Sequence, residues 1–556
     1  MDFVLTHNAN DKFSAEILKT VQRWKGSEGL KRVLKSTAPP TILCIVAVTI
    51  LIISFNGGVS VGGSNHFGQL PVVRRALDPN YLPGDFTIEI RQYHHRVFTH
   101  LIAGLSRAMG EDRALIIIHI IGMSLLASSL WLLCRAVNLT LSGFVAVGLF
   151  LASNLIWTGK GLELNHFVGD ADIMPPTFAH AFVLLAVTSL LRDRYLWAAV
   201  FAGLATLFHL QIGLICAVMI APLYLVKLKQ LGVIKTLIVI GLFIIAATPG
   251  LLDLIHMLRG GLMRSPSTEY SLPFYIDFRH PHHFELISLV AAFWVAAHVI
   301  IQVFAYRFLR RLLSHEAPAV GKMAVMSLTL AALAIIHFTD YYLIKDGHLA
   351  TIQFIRLSSL ITVFGAVSLV VVINEWTNTF AAKTGNSRIG AYCSAGLILI
   401  ASLWGVREAM KPDAVFDFGI VRYREQSSHW VNICRWIRSN GPRDAVYLTP
   451  PGANGFLSLA ERSNVADFKN NPDSGLYLAQ WLERLRDLAG GALPKGRGYE
   501  NRQSFNRAYG ALNAEQLIQV GKKYGAEYAV LPKSSQAGFE VLHMNDGYRL
   551  VKLPIK

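Results

Sequence analysis

Residues 195–250 read YLWAAVFAGLATLFHLQIGLICAVMIAPLYLVKLKQLGVIKTLIVIGLFIIAATPG. Apart from Lys227, Lys229 and Lys235, the stretch carries no charge. A bilayer's hydrocarbon core is about 30 Å thick and is crossed by about 20 apolar residues in a helix. Backbone amides there have no water to bond, so each crossing must be helical. We read three crossings in this stretch, 195–210, 212–228 and 233–252, the first two divided by His209, Leu210 and Gln211. Comparable apolar runs lie on either side, at 38–56, 114–135, 139–158, 176–192, 284–306, 322–340, 353–374 and 388–406. The expected fold is therefore a polytopic α-helical membrane protein with about 11 transmembrane helices, and no internal repeat is evident.

The totals agree with that reading. Of 556 residues, 53% are hydrophobic and only 16% are charged, where a soluble chain carries nearer a quarter as charges. The formal net charge of +16 could suggest nucleic acid, but much of the excess sits in short segments beside the spans, where Lys and Arg set topology. No nucleic-acid partner is expected; membrane lipids are. Four of the five cysteines, Cys44, Cys134, Cys216 and Cys393, lie in or beside spans, and Cys434 stands alone beyond them. That set builds neither an intradomain disulfide nor a CxxC metal site.

Short basic segments orient the chain. With residues 1–37 cytoplasmic, the segments Cys134–Ala136, Leu191–Arg194, Lys227–Lys235, Tyr306–Lys322 and Glu375–Arg388 are also inside. Loops 57–113, 159–175 and 253–283 and the C-terminal domain, 410–556, then lie on the outer face, which is the periplasmic one if the membrane is a bacterial inner membrane. The first 37 residues are too long for the n-region of a cleaved signal peptide. Ile17, Val21 and Trp24 share one helical face among Lys12, Lys19, Arg23 and Lys25, which suits a helix on the membrane surface or a solvated one. In the C-terminal domain, 430–439 and 514–524 read as helices and 445–448 and 527–531 as strands. A closing strand pair, 539–543 and 548–553, is joined through Asn545-Asp546-Gly547. Alternating helices and strands favour a small α/β sandwich.

The first outer loop carries the most chemistry. Asp85 follows the turn Pro83-Gly84 and precedes an amphipathic pattern, Thr87–Arg107, expected to be one helix. Its carboxylate could serve as a base, hold a cation, or simply cap the helix. Arg74, Arg75, Glu89, His94 and His95 of the same loop are candidates for substrate contact. The second loop holds Glu163, Asn165, His166, Asp170 and Asp172; Asp170 and Asp172 could bind a divalent cation or a sugar hydroxyl, or cap the next helix. A divalent cation is thus the one cofactor these loops suggest. The third loop carries Arg259, Arg264, Tyr270, Asp277, Arg279 and the run His280-Pro281-His282-His283. Arginines near a membrane surface suit a phosphate head group. The histidine run could bind metal, but its proline-broken spacing lacks the helical i,i+4 pattern. His209 and Gln211 interrupt one apolar run and Gln353 and Arg356 open another; polar groups at that depth are functional candidates.

In arrangement the chain resembles the GT-C superfamily of membrane glycosyltransferases. The shared features are a cytoplasmic N-terminus, a long first outer loop with an acidic residue near its middle and amphipathic helices, the segment Gly203–Gly213, and a tail resembling the family's α/β domains through Trp436-Ile-Arg, Asp444–Pro451 and Lys523–Leu531. The resemblance implies transfer of a sugar from a polyprenyl-phosphate-linked donor to a glycan, lipid or protein acceptor, with inversion. It implies a base at Asp85, a donor phosphate held by Arg74, Arg75, Arg259, Arg264 or Arg356, and Asp170 and Asp172 positioning the acceptor or a cation. Many members carry an adjacent acidic pair or a DxD in the first loop, whereas Asp85 is followed by Phe86 and its nearest carboxylates are Asp78 and Glu89. A lipid-linked glycan polymerase or ligase shares the substrate class. A transporter or flippase is disfavoured by the missing repeat, and a non-catalytic scaffold would leave Asp85 dispensable.

Overall fold

The computed structural model describes residues 28–555 apart from 64, 92–94, 165, 170, 260–271, 346, 387, 412–413, 424–425 and 473–474. The surface helix expected near Ile17–Trp24 and the candidates His94, Asp170, Arg264 and Tyr270 lie outside the described residues. Two compact units are present, Met1–Ala47 and Val48–Lys556. What is described of the first is the opening of a helix, Glu28–Phe55, with Pro39 and Pro40 inside it. All that follows concerns the second unit.

Among the described residues six helices are long and apolar enough to cross a membrane: Glu111–Ala136, Leu210–His256, Leu289–Arg311, Ala317–Ile344, Ala350–Thr384 and Ile389–Ala409. Four shorter apolar helices, Pro39–Phe55, Leu141–Ser153, Pro175–Leu191 and Tyr195–Phe208, accompany them. The helix Leu210–Arg259 is interrupted at Gly232 (φ 70°, ψ 170°), between its lysines, so it supplies two membrane segments. The preceding break falls at His209, in extended backbone with φ −148°. Each expected segment therefore contains a helix or one limb of a helix, and the chain is a membrane protein.

Two segments depart from the pattern, for a shared reason. The segment read as 139–158 stays helical only to Ser153, after which Asn154, Ile156 and Trp157 turn the chain through positive φ. The one read as 353–374 opens with Gln353 at φ 57° and a 3-10 turn, Phe354–Leu357, so regular helix starts at Ser359. The unwound ends meet: the Gly159 amide donates to Thr362 Oγ1 (3.0 Å) and the Leu162 amide to Ser358 Oγ (2.8 Å). Irregular backbone at membrane depth persists only where protein groups satisfy it.

The loops and the C-terminal region are built together. Strand β1 (Val59–Val61) pairs in parallel with β2 (Ile420–Arg422), joining the exits of the first and last apolar helices. The expected single helix Thr87–Arg107 is instead one turn, Phe86–Glu89, and a separate helix, Arg96–Met109. The break is made at His95, which sits at φ 53°. Beyond β2, a five-stranded mixed sheet has the order β4-β3-β5-β7-β6, with β3 Val446–Leu448, β4 Ser463–Asn464, β5 Ala526–Pro532, β6 Val541–Met544 and β7 Tyr548–Lys552. The β6–β7 turn is closed by Asn545, whose side-chain oxygen accepts from the amides of Gly547 and Tyr548. Alternation along β5 decides the layers. Ala529 and Leu531 face a core with Trp481, Leu482, Phe505 and Leu517, while Val530 faces one with Trp430, Ile433, Ile437 and Phe456. Helices thus cover both faces of the sheet.

Candidate functional site

The third loop becomes part of the C-terminal core. Its helix Leu272–Arg279 places Phe278 (3% exposed) against Phe468, Trp481 and Phe505, with ring centroids 5.6, 6.3 and 6.1 Å away. Asn501 donates to the Phe278 carbonyl (2.9 Å) and Arg279 to the Lys469 carbonyl (2.9 Å). The next residues, Pro281–His283, form a 3-10 turn. Gly498 presses on it so closely that a Cβ there would meet Pro281 Cγ at 2.8 Å.

This clamp gathers His280, His282 and His283, whose ligand-capable atoms all lie within 4.8 Å of one another. The His282 and His283 ring centroids are 4.2 Å apart, and His282 stacks on Tyr499 at 4.6 Å. His280 Nε2 lies 3.1 Å from Asn471 Oδ1. Glu163 reaches in from the second loop, its carboxylate 3.5 Å from His283 Nδ1 and 3% exposed. Burial, then the charges of Arg356 and Arg279, holds His283 well below the usual imidazole range. His282 is pushed down to about 3, first by burial, then by His283 and Arg279. At neutral pH these rings are uncharged, with lone pairs to offer.

A second convergence lies at the two helix breaks. Arg356 Nη1 is 3.2 Å from His209 Nε2, and the His209 ring centroid is 5.0 Å from that of His95. Gln353 accepts from Arg356 Nε, and Gln211 donates to the Thr351 carbonyl (3.2 Å). Three distant segments therefore bring His95, His209 and Arg356 together: the first loop, the 209 break and the 353 opening. Arg96, next to His95, pairs with Asp253 at 3.6 Å.

The remaining sequence candidates make the following contacts. Asp85 is 3% exposed and caps the one-turn helix, accepting from the Ile88 amide at 3.1 Å. Burial pushes its carboxyl up to about 6 against the Ile88 and Thr87 amides and Ser463, and nearby Asp467 adds to the rise. Arg74, expected on a phosphate, makes a bidentate pair with Glu111 (2.8 and 2.9 Å) and donates to the Ser458 carbonyl (2.7 Å). Arg75 is likewise turned inward, to Glu89 (3.1 Å) and the carbonyls of Tyr81 and Leu82. Arg75 is thus occupied in shaping the first loop, and Arg74 also docks that loop on the C-terminal region through Ser458. Arg74 also lines a cavity of about 50 Å³ with Glu111, Asp112, Tyr423, Arg435 and Arg438. Asp172 is buried and accepts from the Asn65 amide (2.8 Å). Burial favours its neutral form, but His66, Ser60, the Asn65 amide and Lys469 outweigh this and hold the carboxyl below its ordinary value. Arg259 ends a helix, and its side chain lies outside the described set.

The comparisons with known proteins can be set beside this geometry. Residues 428–488 match a family model described as a domain of unknown function, DUF6798. No curated protein matches the sequence. The fold is similar to the archaeal oligosaccharyltransferase AglB from Archaeoglobus fulgidus, solved in complex with an inhibitory peptide and a dolichol-phosphate. That likeness has 12% identity and a TM-score of 0.47, over 89% of this chain and 70% of that one. ArnT from Cupriavidus metallidurans in the apo state is similar at 12% identity and a TM-score of 0.38, over 94% and 99%. At these scores the likeness is one of chain course and carries no argument about chemistry.

Proposed function

We propose that this chain is a membrane glycosyltransferase that moves a sugar from a polyprenyl-phosphate-linked donor to an envelope glycan, lipid or protein acceptor on the outer face of a bacterial inner membrane. The observation that carries this reading is the meeting of Arg356, His209 and His95 at the two breaks in the apolar helices. A guanidinium at membrane depth is costly and needs a polar counterpart. A lipid-borne phosphate arrives at that depth and takes a fork of two N–H donors. In the reaction the bond between the sugar's anomeric carbon and the phosphate oxygen breaks. The phosphate leaves with the electron pair, stabilised by Arg356, while an acceptor hydroxyl oxygen forms the new bond and gives its proton to a carboxylate. Asp85 is that carboxylate in our reading, and its raised pKa suits a proton acceptor near neutrality. Asp172 acts indirectly, by fixing the backbone at Asn65.

The test is donor turnover in membrane vesicles supplied with a labelled polyprenyl-phosphate sugar. Losing a charge-assisted contact worth about 1.5–3 kcal/mol predicts that Arg356→Ala raises the donor KM roughly 10- to 150-fold, with Arg356→Lys between it and wild type. Unchanged donor affinity in both variants would remove the phosphate role from Arg356. No transfer by the wild-type chain with any such donor would remove the transferase reading itself.

A further inference from the structure

We propose that His280, His282, His283 and Glu163 form a binding site for a transition-metal dication of the zinc class. The inference stands apart from the transferase reading and needs no donor or acceptor.

Geometry comes first. The three histidine ligand atoms already lie within 4.8 Å of one another, and Glu163 is 3.5 Å from His283. In a tetrahedral zinc site with bonds of about 2.0–2.1 Å, ligand atoms stand about 3.4 Å apart. Closing the difference takes inward shifts of roughly an ångström, within the reach of side-chain rotation. The turn that carries the histidines is held from outside by Asn501, Gly498 and the Arg279–Lys469 contact, so the backbone is set before any ion arrives.

The chemistry of the donors comes second. The Nδ1 atoms of His282 and His283 are buried and have no hydrogen bond among the described residues, and a buried polar nitrogen left in that state is unfavourable. An ion would take up their lone pairs. His280 has the outer partner expected of a ligand: an Nε2–H donated to Asn471 Oδ1 fixes the tautomer with its lone pair on Nδ1. Glu163 supplies the negative charge that three neutral imidazoles lack. Three imidazoles and one carboxylate suit zinc, cobalt, nickel or copper, whereas magnesium and calcium require an oxygen-rich shell. The bound ion would cross-link the second loop to the third beside the C-terminal region.

The experiment uses the full chain, purified in detergent through a tag without histidine, stripped with EDTA, reloaded with zinc sulfate and desalted. Mass-spectrometric metal analysis is expected to find about one zinc per chain, a content unchanged by His429→Ala, an exposed histidine outside the cluster. The double variant His280→Ala/His282→Ala is expected to retain less than roughly a tenth of it. A wild-type readout guards against a variant that fails to fold: cobalt loading should give the intense visible ligand-field bands of a four-coordinate ion, and excess magnesium should not displace zinc. Absence of stoichiometric zinc in the wild type, a weak six-coordinate cobalt spectrum, displacement by magnesium, or full zinc retention by a folded double variant would each overturn the proposal.

Discussion

Replacing Asp85 by Asn separates the two roles open to that carboxylate. Asn and Asp are equivalent N-caps to within a few tenths of a kcal/mol, so the bond from the Ile88 amide survives the change. What disappears is a buried negative charge. Burial, reinforced by Asp467, lifts the Asp85 carboxyl from 3.8 to about 6. The folded state therefore binds the proton more tightly than the unfolded chain does. Its contribution is fully present below pH 3.8 and is lost as pH rises through about 6. Two pKa units at about 1.36 kcal/mol each make the ionised form some 3 kcal/mol unfavourable above pH 7. Asp85→Asn should then be more stable than wild type by up to about 3 kcal/mol at pH 7.5, by about half of that at pH 5, and by about 0.5 kcal/mol at pH 4. Thermal unfolding of the detergent-solubilised pair across that range reads the difference. A wild type more stable than the variant at pH 7.5, or a gap that does not close on acidification, would refute the reasoning. The same pair decides function: a variant that is stabilised yet inactive marks a carboxylate kept for chemistry at the expense of stability, and one that is stabilised and active leaves only the cap.

Two further substitutions test the packing around the site. Gly63→Ala would set a Cβ 1.9 Å from Asp172 Oδ1 and 2.5 Å from Ser60 Oγ, so it should displace Asp172 from the Asn65 amide. We expect a loss of about 1–3 kcal/mol, seen as a lower unfolding temperature, and an unchanged temperature would mean the loop yields freely. Phe278→Ala removes the ring that the third loop inserts among Phe468, Trp481 and Phe505. The expected cost is about 3–5 kcal/mol, with limited proteolysis opening the 253–283 loop first; protection equal to wild type would show that the loop is held without it.

Whatever rests on local pattern could be read from the chain itself. The apolar runs, the lysine-flanked interruption that becomes Gly232, and the Asn545-Asp546-Gly547 hairpin each act through neighbours a few residues away. The cap at Asp85 was likewise among the readings its Pro83-Gly84 setting offered. What depends on partners far along the chain was hidden. Nothing near Phe278 announces that its pocket is made by residues some 200 positions later. Nothing near Arg74 shows that Glu111 will meet it first. The break at His95 overrides an unbroken amphipathic pattern, because a positive φ is not written in hydrophobic periodicity. The histidine run is the instructive case. Its proline-broken spacing lacks the i,i+4 pattern of a helical metal site, yet the short turn Pro281–His283 and the residue that caps it gather His280, His282 and His283 all the same.

The parallel pairing of β1 with β2 joins residues some 360 positions apart. A ribosome extends a chain at about 5–20 residues per second, so about 20–70 s separate the emergence of the two strands. Through that interval the Val59–Val61 edge waits with its ladder unformed, while every remaining apolar helix is made and inserted. An unpaired strand edge invites the wrong neighbour. The closing of this seam therefore comes late in biogenesis, and slowing translation after Ala409 should lengthen the window in which the nascent chain is open to proteases or chaperones.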